Sequence, residues 1–271
     1  MKKRSSPKTS RRKGARLGQH FLTGTWAAAK LAACIEVAPG ETILEIGPGK
    51  GALTRELLKY GPVVAIEKDG ALQETLEQTL GDDLAHGTLR LIFEDIRNFS
   101  PEKIELTNYV VAANIPYYIT GEIIRQFLTA RIQPRAMALL VQKEVAERII
   151  ARDAKESLLS LSVKVYGTPK VVAKVSKGNF SPPPSVDSSI ILIGNISRAR
   201  FANVDENVFF ETLRAGFASK RKYLSGNLAK HFGKDVALRA LTECGVPEKA
   251  RAEDVALEAW LHIAKALQRI R

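Results

Sequence analysis

Cysteine is scarce in this 271-residue chain, which has only two, and long apolar runs are absent. Two cysteines are too few for a disulfide framework or a four-ligand zinc site. No apolar run reaches the roughly 18–20 residues of a membrane-spanning helix. The basic N-terminus is not followed by the apolar segment of a secretory signal. We therefore expect a cytoplasmic protein that neither spans a membrane nor depends on a metal.

Acidic residues are absent from the first 16 residues, which carry eight Lys or Arg. The net charge of +12 divides into +8 on residues 1–16, −1 on residues 17–195 and +5 on residues 196–271. Two basic ends around a nearly neutral middle indicate a polyanionic partner, and nucleic acid is favoured over tails that serve only solubility. Because residues 1–16 show no apolar periodicity, we expect them to form a basic disordered tail.

Short apolar segments alternate with helical stretches through much of the chain. Strands are predicted at residues 42–46, 63–66, 89–93, 109–113 and 136–141, and helices between them include residues 120–130. Continuously apolar strands separated by helices are typical of a parallel sheet that is covered on both faces. Further β-rich runs at residues 159–166, 171–175 and 186–193 predict an antiparallel addition at the sheet edge. The sequence thus predicts an α/β domain over residues 17–195 and a small all-α domain over residues 196–271.

A glycine-rich turn follows the first predicted strand, with Gly47, Gly49 and Gly51 at alternate positions before a helix. Glycine lets the backbone approach a ligand closely, and a helix N-terminus offers free N–H groups to an anion. Glu67 ends the next strand, 20 residues after Gly47, where a carboxylate can accept hydrogen bonds from ribose hydroxyls. Asp95, after the third strand, can accept one from an adenine amino group or simply cap a helix. These residues predict a site for a nucleoside-bearing cofactor, and NAD and S-adenosylmethionine both remain open. The alternative is a tight turn that only packs a helix on the sheet.

The fourth predicted strand runs directly into Asn114, Ile115, Pro116 and Tyr117. Pro116 holds Ile115 extended and so fixes the direction of the neighbouring carbonyl groups. The Asn114 side-chain carbonyl and the Ile115 backbone carbonyl can receive the two hydrogens of an aryl amine, while Tyr117 offers a face for stacking. Two such acceptors favour a tetrahedral nitrogen with a usable lone pair, without a general base. The alternative is an ordinary Asn-Pro turn with a core tyrosine.

These motifs, in this order and spacing, resemble the bacterial small-subunit ribosomal RNA adenine N6,N6-dimethyltransferases (the KsgA/RsmA family). The resemblance also rests on the Leu-Gly-Gln-His-Phe-Leu segment at residues 17–22 and the Asn-Phe-Ser-Pro-Pro-Pro segment at residues 179–184. It extends from about residue 16 to the C-terminus and implies a Rossmann-like class I methyltransferase fold.

The resemblance implies S-adenosyl-L-methionine as the cofactor. The implied cofactor-binding residues are Gln19, His20, Leu22, Gly47, Gly49, Glu67, Asp95 and Asn114. The implied catalytic residues are Asn114, Pro116, Tyr117 and Phe180, with Tyr117 and Phe180 enclosing an adenine flipped out of the RNA. His20 departs from the family, which usually has asparagine there. A neutral imidazole still donates one hydrogen bond, so we expect cofactor binding to persist.

Residues 212–234 contain six basic residues and no acid, and they are similar to the family's RNA-docking segment. The implied RNA-binding residues are Arg214, Lys220, Arg221 and Lys222 here, and Arg11, Arg12 and Lys13 in the tail. We expect Phe209, Leu213, Phe217 and Leu224 to be core residues. A solvated charged face is the alternative for the basic residues.

By this resemblance, a monomer dimethylates two adjacent adenines near the 3′ end of 16S rRNA within a partly assembled small ribosomal subunit. Three other functions remain open: a large-subunit rRNA methylase conferring macrolide resistance, a non-catalytic assembly factor, and an NAD-dependent dehydrogenase. The dehydrogenase alternative gives no role to the Asn-x-Pro-Tyr segment after the fourth strand.

Overall fold

The structure is a computed structural model and describes residues 20–270. The predicted basic tail, with Arg11, Arg12 and Lys13, lies outside the described residues, as does Gln19. Within residues 20–270, no helix has both the length and the apolar character needed to cross a membrane.

Strands and helices alternate as far as β6 and give way to helices after β9. The strands are β1 (Phe21–Leu22), β2 (Thr42–Ile46), β3 (Val63–Glu67), β4 (Leu89–Phe93), β5 (Tyr109–Asn114), β6 (Met137–Gln142), β7 (Thr168–Val175), β8 (Phe180–Ser181) and β9 (Ser188–Gly194). The helices are α1 (Thr25–Ala33), α2 (Ala52–Leu57), α3 (Gln73–Ala85), α4 (Thr120–Thr129), α5 (Lys143–Ile150), α6 (Leu158–Lys164), α7 (Glu206–Gly216), α8 (Leu224–Phe232), α9 (Lys234–Glu243) and α10 (Leu257–Ile270).

Seven strands form one sheet in the order β4-β3-β2-β5-β6-β9-β7. The first five are parallel, whereas β9 pairs antiparallel with β6 and β7 antiparallel with β9. Both the parallel sheet and the antiparallel addition at its edge are therefore confirmed. The order reverses at β2, so the carboxyl ends of β2, β3 and β5 meet beside one crevice, where ligands bind in such sheets.

Both faces of the sheet are covered, which is why its strands are apolar throughout. Ile43 and Val110 face α1, α2 and α3, whereas Leu44 and Val111 face α4, α5 and α6. The second of these apolar clusters continues without a break into α7–α10 and includes Phe209 and Trp260. The helical region therefore packs on the same core as one face of the sheet.

One predicted strand is wrong: residues 159–166 fall largely in helix α6. Ser157 caps this helix by accepting a hydrogen bond from the Ser160 N–H at 3.0 Å, while the Ser160 hydroxyl accepts one from the Ser157 N–H at 2.7 Å. This reciprocal cap fixes a helix start, and Leu161 and Val165 then share its buried face. The sequence-based prediction also missed α5, whose first residue follows β6 directly.

The helical region is organised around Trp260, which is fully buried and stacked on Phe217 with ring centroids 5.5 Å apart. Gly216 lies so close that a Cβ there would come within 2.3 Å of the Trp260 ring. As expected, Phe209, Leu213 and Leu224 are fully buried, and Phe217 is half-buried.

Candidate active site

The glycine turn after β2 requires backbone conformations that favour glycine. Gly47 and Gly49 have φ angles of 70° and 59°, in the left-handed region that other residues adopt at a cost. Among residues 20–270, and apart from Gly47 and its two chain neighbours, no atom lies within 4 Å of where a Gly47 Cβ would be, whereas a Gly49 Cβ would come within 3.0 Å of the Phe21 ring. Gly47 thus leaves open space for a ligand beside the backbone, and Gly49 lets β1 approach the turn.

Glu67 connects the end of β3 to this turn. One carboxylate oxygen accepts a hydrogen bond from the Gly49 N–H at 3.1 Å and the other from the Asp69 N–H at 2.8 Å. The side chain is buried, and burial raises the pKa of Glu67 even though these N–H groups favour its charge. Since each carboxylate oxygen has two lone pairs, Glu67 can hold the turn and still accept ribose hydroxyls.

Asp95 follows β4 and is already engaged by neighbouring cations. Its carboxylate accepts hydrogen bonds from the Arg97 guanidinium, the shortest at 2.6 Å, and lies 2.8 Å from Lys68 Nζ. Arg97 and then Lys68 hold the pKa of Asp95 well below its usual range. It also caps a 3₁₀ turn through the Arg97 N–H, so both roles considered for Asp95, cap and adenine acceptor, are compatible with its position.

Glu45, in β2, is a buried acid that the sequence pattern did not single out. Its side chain is fully buried, and neither carboxylate oxygen has a hydrogen-bond partner. The hydroxyl of Thr54 in α2 is likewise buried, and it lies near enough to Glu45 to affect its pKa without forming a hydrogen bond of ordinary geometry. Burial raises the pKa of Glu45 to about 8, although the nearby Thr54 hydroxyl opposes this rise, and the charge of Glu67 adds to it. Glu45 is therefore protonated at neutral pH.

Asn114, the last residue of β5, has a defined amide orientation. Its Nδ2 donates a hydrogen bond to the His20 backbone carbonyl at 3.0 Å. Within residues 20–270 its Oδ1 accepts no hydrogen bond. The hydrogen bond to the His20 carbonyl therefore identifies which amide atom is nitrogen, and the side-chain carbonyl of Asn114 is left free to accept a hydrogen bond.

His20 and Tyr117 form the other wall of the site. The rings stack with centroids 5.7 Å apart. His20 Nδ1 lies 2.8 Å from the Pro182 carbonyl, and since a carbonyl only accepts, Nδ1 carries a proton. The Tyr117 hydroxyl lies 2.7 Å from Ser188 Oγ, and burial raises the pKa of Tyr117. Both aromatic rings are thus fixed by contacts with the β8–β9 region.

Phe180 does not occupy the predicted position. The sequence-based prediction places it against the target adenine opposite Tyr117, but Phe180 is only 3% exposed and pairs with Leu22 in the β1–β8 ladder. Both side chains belong to the apolar cluster on the α1–α3 face. In this conformation His20, rather than Phe180, lies against Tyr117, because pairing with β1 turns Phe180 into the core.

Two small clefts meet between Gly47 and Pro116. One, of about 80 Å³, is also lined by Glu67, Asp95 and the 67% exposed Tyr118. The other, of about 60 Å³, is lined by His20, Asn114 and Tyr117, among others. The predicted nucleoside-binding acids and the predicted methyl-transfer residues are therefore brought to adjacent sides of one turn.

Comparison with known proteins shows which family the chain belongs to. The model of the family described as ribosomal RNA adenine dimethylase matches residues 10–269. The chain belongs to this family. Membership makes it a methyltransferase of ribosomal RNA adenines, and the family's Rossmann-like fold implies use of S-adenosylmethionine.

The dimethylase family includes relatives that resemble this chain over most of its length. A ribosomal RNA small subunit methyltransferase A from Dehalococcoides mccartyi strain CBDB1 is 42% identical, covering 92% of this chain and 86% of the relative. The corresponding Moorella thermoacetica protein is 36% identical, covering 93% and 91%. Among solved structures, a dimethyladenosine transferase from Plasmodium falciparum has a TM-score of 0.76 at 25% identity, covering 90% and 96%. The 23S rRNA methyltransferase ErmE, at 24% identity and a TM-score of 0.74, covering 92% and 99%, shares the fold.

The dimethylase has a cationic surface at the predicted place in its helical region. Arg214 lies on α7, and Lys220, Arg221 and Lys222 lie in the connection to α8. All four are exposed, and none forms an ion pair with another residue of the described range. They are therefore available to phosphate groups, as their predicted role requires.

Proposed function

We propose that this protein uses S-adenosylmethionine to methylate N6 of two adjacent adenines, twice each, near the 3′ end of small-subunit (16S) ribosomal RNA. The observation that carries the proposal is the orientation of Asn114. Its amide nitrogen is held by the His20 carbonyl, so its Oδ1 is presented as an acceptor beside Gly47 and Pro116.

The residues around the glycine turn fit S-adenosylmethionine. The open space beside Gly47 accommodates close approach of a ligand to the backbone. Glu67, at the end of β3, is the acceptor for the ribose hydroxyls, and Asp95 is the acceptor for the adenine amino group. When bound, the cofactor supplies an electrophilic methyl group on a sulfonium, whose sulfur leaves as a neutral thioether.

Asn114 and the Ile115 carbonyl act on the amino group of the target adenine. By accepting its two hydrogens they favour a tetrahedral nitrogen and free its lone pair. The N6–carbon bond forms as the sulfur–carbon bond breaks. The nitrogen then carries a positive charge and loses a proton to water, so no side chain has to act as a base. Tyr117 stacks on the base and limits its approach to one direction.

The choice of substrate follows the curated relatives. Those at 36–42% identity are named small-subunit enzymes, and the likeness to them covers more than nine-tenths of this chain. The cationic surface around Lys220, Arg221 and Lys222 supports a large polyanionic substrate. We propose that this substrate is the RNA within a partly assembled small subunit and that the protein acts on it as a monomer.

Two measurements test the proposal. Isothermal titration should show binding of S-adenosylmethionine and none of NAD, and Glu67→Ala should raise the cofactor Kd at least tenfold through loss of the ribose contacts. Wild-type affinity of Glu67→Ala would contradict the ribose assignment.

The second measurement is transfer of labelled methyl groups to small- and large-subunit particles from cells that lack the enzyme. Mass mapping of the product should find dimethyladenosine at two neighbouring positions of the small-subunit RNA. Labelling of large-subunit RNA alone would favour the resistance-methylase alternative.

A further inference from the structure

Lys50 lies within the glycine turn, between Gly49 and Gly51, and no step of the proposed reaction uses it. The Gly51 N–H donates a hydrogen bond to the Pro48 carbonyl at 2.9 Å, which closes a tight turn across Gly49 and Lys50. The left-handed φ angles of Gly49 and Gly51, 59° and 80°, set the direction of this turn. The chain therefore places one cation in the segment that begins at Gly47, between the two clefts.

The Lys50 side chain turns back over β1. We call the cleft lined by Asn114 and Tyr117 the transfer cleft, and Phe21 of β1 is part of its wall. The ammonium nitrogen of Lys50 lies 5.3 Å from the centroid of the Phe21 ring, a distance at which an aromatic ring attracts a cation. Lys50 is therefore held next to a residue of the transfer cleft, while it remains exposed.

No unpaired Lys or Arg lines either cleft among residues 20–270. The wall of the transfer cleft contains no lysine, arginine or carboxylate. The other cleft contains Lys68 and Arg97, and both form ion pairs with Asp95, at 2.8 and 2.6 Å. Lys50 forms no ion pair with another residue of the described range. An anionic group bound beside Phe21 would therefore find its counter-charge at Lys50.

S-Adenosylmethionine carries such an anionic group. Its adenosine part takes the contacts proposed for Glu67 and Asp95, and its sulfonium has to face Asn114 for methyl transfer. Its amino-acid part extends from the same sulfur and ends in an ammonium group and a carboxylate. Since the target adenine uses Asn114, Ile115 and Tyr117, the wall of the transfer cleft that remains for the amino-acid part includes Phe21, beside Lys50.

We propose that the Lys50 ammonium pairs with the carboxylate of the methionine part of the cofactor. The inference rests on the proposed cofactor and adds a residue that positions its amino-acid end. A lysine suits this place because its ammonium is a compact charge on a flexible stem, which can leave the Phe21 ring for a carboxylate without a change in the backbone. Lys50 thus contributes to cofactor affinity and takes no part in bond formation.

The test compares Lys50→Met with Lys50→Arg and Lys170→Met. Methionine keeps an unbranched apolar stem beside Phe21 and removes the charge, whereas arginine keeps the charge. Lys170 is also exposed and without an ion pair in the described range, but it lies on β7, an edge strand of the sheet. Isothermal titration measures the Kd of two ligands, S-adenosylhomocysteine and its decarboxylated analogue, which keeps the amino group and lacks the carboxylate.

Lys50→Met should raise the Kd of S-adenosylhomocysteine about 5- to 20-fold, as for loss of one charge-assisted contact. It should leave the Kd of the decarboxylated analogue within about twofold of the wild-type value, because that ligand has no carboxylate to lose a partner. Lys50→Arg should recover most of the affinity, and Lys170→Met should bind both ligands like the wild type. Since salt screens an exposed ion pair, the Kd of S-adenosylhomocysteine should also depend less on salt in Lys50→Met than in the wild type.

Equal losses for the two ligands would overturn the proposal, because they would show a change in the turn itself rather than a lost ion pair. Wild-type affinity of Lys50→Met for S-adenosylhomocysteine would overturn it as well. A wild-type protein that binds neither ligand would instead contradict the proposed cofactor, so the two failures are distinguishable.

Discussion

Replacing Glu45 by Gln should stabilise the ligand-free protein, and more so as the pH rises. Glu45 is fully buried without a hydrogen-bond partner on either oxygen. Burial raises its pKa from 4.5 to about 8. Glutamine has nearly the same shape and does not ionise, so the substitution removes a titration while leaving the packing in place.

The magnitude follows from the linkage between protonation and folding. Between pH 4.5 and 8 the folded protein keeps the Glu45 proton whereas the unfolded chain loses it. The unfolded state then binds fewer protons, so the free energy of unfolding falls as pH rises. Each pKa unit is worth about 1.4 kcal/mol, which gives a total of about 5 kcal/mol. Between pH 5 and pH 7 the advantage of Glu45→Gln over the wild type should grow by about 2.5 kcal/mol, and above pH 8 it should level off.

Urea unfolding followed by far-UV circular dichroism at pH 5, 6, 7, 8 and 9 measures this difference. The raised pKa of Glu67 is present in both proteins and largely cancels in the comparison. Glu41→Gln provides a control of opposite sign, because the Arg135 guanidinium, 2.6 Å from Glu41, lowers the pKa of that carboxyl. Its stabilising contribution is fully present above pH 4.5 and is lost only as the pH falls further, so the deficit of Glu41→Gln should stay nearly constant from pH 5 to pH 9 and shrink only when the series is extended below pH 4.5. A stability difference between Glu45→Gln and wild type that does not change with pH would refute the reasoning.

Three further predictions concern catalysis, the basic tail and the helical core. Asn114→Ala should keep the cofactor Kd within a few-fold while single-turnover methyl transfer falls about 10²–10³-fold, as for loss of one preorganised polar group; unchanged turnover would remove Asn114 from the mechanism. Removing residues 1–16 should weaken RNA binding and flatten its salt dependence, and an identical salt slope would mean that the tail makes no phosphate contacts. Gly216→Ala should lower the free energy of unfolding by about 1–3 kcal/mol through overpacking, because its Cβ would meet Trp260 at 2.3 Å. Gly226→Ala, with open space around its Cβ, should instead be neutral or stabilising, and equal effects of the two substitutions would contradict the packing argument.

The sheet was predictable because its central strands are buried on both faces and therefore apolar throughout. The same criterion failed for α6, where a dense apolar run is typical of a strand and only the reciprocal Ser157–Ser160 cap marks a helix. Composition alone does not separate a buried strand from a short buried helix.

At the candidate site, the sequence predicted which strand ends carry polar residues but not how the side chains meet. The stacking of His20 on Tyr117 and the burial of Phe180 both depend on β1 pairing with β8, about 160 residues away in the chain. Glu45 lies within the glycine-turn motif, yet its burial without a partner becomes visible only when α2 covers β2. Long-range pairing of this kind leaves no local pattern in the sequence.

Because one apolar cluster extends from Leu44 beneath the sheet to Leu267 in the last helix, helices α7–α10 are not a detachable module. A chain cut after residue 195 would leave the outer surfaces of α4 and α6 without their covering and expose apolar area to water. Heating the intact protein should accordingly produce a single cooperative calorimetric transition rather than two. If the helical region were exchanged between family members, the apolar residues of α4 and α6 that contact it would have to change with it.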